Sequence, residues 1–77
     1  MPHVMRRLNH QGDSEINWEP DDSRTLAFAK AIFETHVHKD GGMAYLVPSD
    51  PRQESEIIRK FDPNAEEIIL APRLVGG

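Results

Sequence analysis

Only one stretch of this 77-residue chain, Ser23–His38, is patterned as a long helix, and it is punctuated at both ends. Leu26, Ala29, Phe33 and Val37 recur at helical spacing, flanked by Phe28 and Ile32, which predicts one broad apolar stripe. Ahead of it, Pro20-Asp21-Asp22-Ser23 supplies N-cap oxygens, with carboxylates placed at the positive end of the helix dipole. Behind it, Lys39 suits the negative end, and Gly41-Gly42 can take the left-handed conformation that stops a helix. A lone helix with one apolar stripe must bury it against something, and in so short a chain the partner is a sheet. The expected class is therefore α+β, in two layers.

The strands follow from period-2 patterning. Val4–Leu8 reads as a first strand, and Asn9-His10-Gln11-Gly12-Asp13 as a turn. Ser14–Glu19 alternates, putting Ile16 and Trp18 on one face, with Trp18 in the core. A hairpin is expected there. Met43–Val47 is a third strand stopped by Pro48, and Ser49–Glu54 a polar loop whose prolines do not suit a central ladder. Ser55–Phe61 reads either as a fourth strand or as a helical turn, because adjacent Ile57 and Ile58 leave its inward face undefined. After a turn at Asp62-Pro63-Asn64, Ala65–Leu70 forms the last strand, with Ile68 and Leu70 facing the helix and Ile69 and Ala71 facing outward. Ala44, Tyr45 or Leu46 would stand beside them on the third strand. Leu46, Ile69 and Ala71 are thus the candidate partner-binding patch, since an exposed apolar cluster on a small domain marks a contact surface.

Composition removes several function classes. A net charge of −4 gives no broad positive field for a phosphate backbone, so nucleic acid is not an expected partner. No cysteine is present, which excludes disulfides, thiolate metal sites and a cysteine nucleophile. No apolar run approaches the roughly 20 residues that span a bilayer, so no membrane partner is expected. The opening Met1-Pro2-His3-Val4-Met5-Arg6-Arg7 lacks the apolar core of a signal peptide, so a cytoplasmic location is expected. His36 and His38 diverge by about 200° on a helix and read as exposed residues near its C-terminus rather than metal ligands. Asp21-Asp22 is explained by capping, Glu66-Glu67 alternates faces on a strand, and the serines lack a nucleophile-elbow context. No catalytic residue, metal site or cofactor is expected, and the chain does not read as an enzyme.

The order of hairpin, helix and further strands ends in Arg73-Leu74-Val75-Gly76-Gly77. With the Met-led first strand and Glu19-Pro20-Asp21-Asp22 before the helix, it resembles the β-grasp fold of the ubiquitin family and its bacterial relatives. The family's tail reads Arg-Leu-Arg-Gly-Gly, so Val75 stands where it has a second arginine, and the loop Pro48–Glu54 has no counterpart. The resemblance implies one helix across a four- or five-stranded mixed sheet, a single domain over residues 1–72 and a flexible tail over 73–77. It also implies a monomeric modifier or carrier, whose Gly77 carboxylate an activating enzyme adenylates before passing it to a thiol or converting it to a thiocarboxylate. Gly76 and Gly77 would be the conjugation residues, Arg73 and Leu74 would be recognised by the activating enzyme, and a target protein would be the second partner. Glycine, having no Cβ, suits a narrow channel to such an active site. The alternative from the residues is a small structural or adaptor domain, of the kind found in phages or mobile elements, that binds a protein through its sheet face or edge.

Overall fold

The computed structural model describes residues 3–8 and 13–72. The predicted turn residues 9–12 and the tail 73–77 lie outside the described residues. Strands β1 (His3–Arg7) and β2 (Ser14–Trp18) are followed by helix α1 (Ser23–Glu34), which continues into a π-helical turn (Thr35–Lys39). Strands β3 (Met43–Val47), β4 (Glu56–Ile57) and β5 (Glu67–Ala71) follow. They form one five-stranded mixed sheet in the order β2-β1-β5-β3-β4. β1 runs antiparallel to β2 and parallel to β5, while β3 runs antiparallel to both β5 and β4. The α+β class and the single helix on the sheet agree with the expectation from sequence.

Each element has a local cause. The Asp22 side chain accepts the Arg24 N–H at 3.0 Å, fixing the start of α1 where the sequence places it. The Thr25 hydroxyl receives the Glu19 N–H at 3.0 Å, tying the preceding loop down. Gly41 has φ of 72°, the left-handed stop expected of it. Met5, Trp18, Ala29, Phe33, Val37, Ala44, Ala65, Ile68 and Leu70 form the buried core between helix and sheet. Phe61 stacks near both Trp18, with ring centroids 5.1 Å apart, and Phe33, at 5.7 Å. It thereby closes the layer with favourable tilted ring geometry.

Several boundaries depart from the sequence reading. α-Helical geometry ends at Glu34 rather than His38, and the last turn is wider. Phe28 does not join the stripe: it is 61% exposed, because five residues before Phe33 is roughly 140° around the helix. The region 55–61 supplies only a two-residue strand, opposite β3, with neither a long strand nor a helix. Ile57 faces out and Ile58 packs against the core, which settles the ambiguity of that pair. β5 begins at Glu67, leaving Ala65 buried in the loop before it.

Candidate interaction site

Residues directly opposite each other across a sheet share a face, so pairing assigns the side chains. Ala44 lies opposite Leu70 and Leu46 opposite Ile68, so both point to the helix. Leu46, expected in the outer patch, is packed against the core, because the inward parity of β3 is fixed by Ala44. Tyr45 takes the outer position beside Ile69, with Ile57 of β4 opposite Tyr45 and Met43 beside Ala71. Ile69 and Ala71 are half-buried, and Ile57 is 56% exposed. The outer face over β5, β3 and β4 is therefore apolar.

The other half of that face is charged. Arg6 stands between two acids, with Nε 3.0 Å from Glu67 Oε2 and Nη1 3.3 Å from Glu15 Oε2. These bonds cross three strands, but at exposed positions they contribute little stability. The loop after β3 is ordered locally instead. Asp50 accepts the Arg52 N–H at 3.0 Å and pairs with its guanidinium, and these two contacts hold the Asp50 carboxyl below its ordinary value.

The least expected feature is His36. Sequence periodicity places it at the surface, yet it is 91% buried (9% exposed). Its Nε2 lies 2.7 Å from the carbonyl of Ala71 and 3.2 Å from that of Met43. Carbonyls only accept, so Nε2 carries the hydrogen and shares it between the end of β5 and the start of β3. Beneath the ring sits Gly42, where a Cβ would overlap the imidazole. The Gly42 N–H also returns to the His36 carbonyl at 2.8 Å. The second glycine of Gly41-Gly42 was the available signal: one left-handed glycine stops the helix, and Gly42 is needed for close approach. A hollow of 210 Å³ borders the same imidazole, lined also by Arg7, Phe28, Ala31, Ile32 and Thr35.

His38, by contrast, is exposed as expected, with Nε2 3.0 Å from the Arg59 carbonyl and 3.4 Å from Glu34. Among the described residues, no three histidine or acidic side chains converge as metal ligands, and no helix is long and apolar enough to cross a membrane. Arg73, Leu74, Gly76 and Gly77 lie outside the described residues. What the structure places is their root: β5 ends at Ala71, and Pro72, exposed and without an N–H, leaves the ladder. Compared with known families, curated proteins and solved structures, the chain finds no match. Its function has to be read from its own residues.

Proposed function

We propose that this chain is a ubiquitin-like β-grasp protein, a modifier or carrier activated at the carboxylate of Gly77. The observation that supports it most directly is the strand order β2-β1-β5-β3-β4, with β1 parallel to β5 at the centre and one helix across one face. β5 leads straight into Pro72-Arg73-Leu74-Val75-Gly76-Gly77, so the diglycine follows a rigid central strand by a short spacer. In the proposed chemistry the Gly77 carboxylate attacks the α-phosphate of ATP on an activating enzyme, releasing pyrophosphate. A thiol or a sulfur donor then displaces AMP, giving a thioester or a thiocarboxylate. This chain supplies the carboxylate and the recognition surface, and its partner supplies the catalytic groups.

Intact-mass analysis of the protein produced with its genomic neighbours tests this, in wild-type form and with Gly76 and Gly77 deleted. An adenylate-derived adduct, thiocarboxylate or conjugate that disappears on deletion is the expected result. An unchanged mass beside an active activating enzyme overturns it. The adaptor reading is favoured by the outward Tyr45, Ile57 and Ile69. It predicts a partner complex that survives the deletion and is lost on Ile57→Asp.

A further inference from the structure

We infer that His36 is a positioning residue for the C-terminal segment: it holds the carbonyl of Ala71 and so sets the direction in which the chain leaves the sheet. The inference rests on the proposed role of Gly77 as the reacting end. Its geometric basis is independent of that role, because three separate features meet at the imidazole that bonds this carbonyl. The helix widens into a π turn at Thr35–Lys39, a form often found at functional positions. The imidazole is buried with its Nε2–H directed at Ala71 and Met43. Gly42 leaves the space that the ring occupies. A helix end needs only a cap, and Gly41 already provides it.

The location gives the contact leverage. Pro72 brings no N–H to the ladder, so the donor next after Ala71 is missing from the strand. The six residues after Ala71 can span at most about 20 Å, so a rotation of about 30° at Ala71 would move the end of a fully extended segment by about 10 Å. Binding a segment whose root is already aimed costs less ordering entropy than binding one that swings freely. His36 therefore acts on how tightly the segment is captured and leaves the chemistry of the carboxylate alone.

The test compares wild type with His36→Leu, which removes the donor, His36→Gln, which returns an N–H at similar reach, and Gly42→Ala, which displaces the ring. The first readout is pyrophosphate exchange with an activating enzyme sought among the products of the neighbouring genes. His36→Leu and Gly42→Ala should raise KM about tenfold, the scale of one buried hydrogen bond, with kcat little changed and His36→Gln restoring KM. The second readout is amide exchange at the two ends of the β1–β5 pair, where the Val4 N–H binds the Glu66 carbonyl and the Leu8 N–H the Leu70 carbonyl, both at 3.0 Å. His36→Leu should speed exchange at Leu8 about tenfold more than at Val4. Equal acceleration at both ends, or an unchanged KM in a folded His36→Leu protein, would overturn the assignment. If wild type supports no exchange with an activating enzyme proven on another substrate, the reading of Gly77 falls, and with it the functional half of this inference. The amide pair then decides alone whether His36 holds the end of β5.

Discussion

The two ends of β5 are each held by a histidine on a carbonyl, and they differ in what else holds them. At the entry, His3 Nδ1 lies 2.6 Å from the Ala65 carbonyl, so His3 carries its hydrogen on the opposite ring nitrogen from His36. His3 also lies 5.5 Å from Trp18, whose Nε1–H donates to the Pro63 carbonyl at 3.0 Å and whose ring also meets Phe61 at 5.1 Å. Entry is therefore over-determined: three side chains and the Val4 N–H to Glu66 hold one short loop. At the exit, His36 and the Leu8 N–H to Leu70 add to the pairing of Ala71 with Met43, above a glycine. The same bond type has aromatic ring contacts beside it in one place and, among the described residues, none in the other. Its importance comes from the number of its neighbours rather than from its length.

That comparison can be broken most forcefully at the entry. Trp18→Ala removes a buried ring, the Pro63 bond and both stacking partners, and should cost about 3–5 kcal/mol, read as a lower urea midpoint. Survival of the fold with less than about 1 kcal/mol lost would show that the entry is not built on Trp18. At the exit, Gly42→Ala should cost about 1–3 kcal/mol, because the imidazole must vacate its site and leave two carbonyls without it. A smaller loss with His36 still buried, as read by its ring proton shifts, would show that the ring can be accommodated by backbone movement. Smallest is His3→Leu, expected at about 1 kcal/mol and without selective fraying at Val4. If its effect equals that of His36→Leu, the two ends are equivalent and the asymmetry is wrong.

The sequence made the large divisions legible. The stripe Leu26, Ala29, Phe33, Val37, the cap at Asp22 and the stop at Gly41 were readable because each is a local signal. Ile68 and Leu70 were assigned inward because strict alternation leaves no other choice once one face is covered. Leu46 faces the helix and not the outer patch, because parity on β3 depends on which residue of β5 it meets, and no local pattern in Met43-Ala44-Tyr45-Leu46-Val47 states that register. The burial of His36 is illegible in the sequence for a related reason. The helical period assumes uniform turns, and the widening at Thr35–Lys39 belongs to the packing of helix end against β3 and β5. Long-range pairing decided both cases, and neither residue carries that information by itself.

The placement of β5 has a consequence for how the chain is made. This strand, the last of the five described in sequence, lies between β1 and β3, so the centre of the sheet is made after the four strands around it. A nascent chain that has reached only β4 holds β1 and β3 with no strand to join them, and Met5 and Ala44 with no apolar neighbours at Ile68 and Leu70. The long sequence separation of the β1–β5 contact delays closure until translation has passed Ala71. Folding is thereby timed to the arrival of β5. An interrupted product ending before β5 would remain open to proteolysis, and a folded copy is one in which the root of that segment has been made.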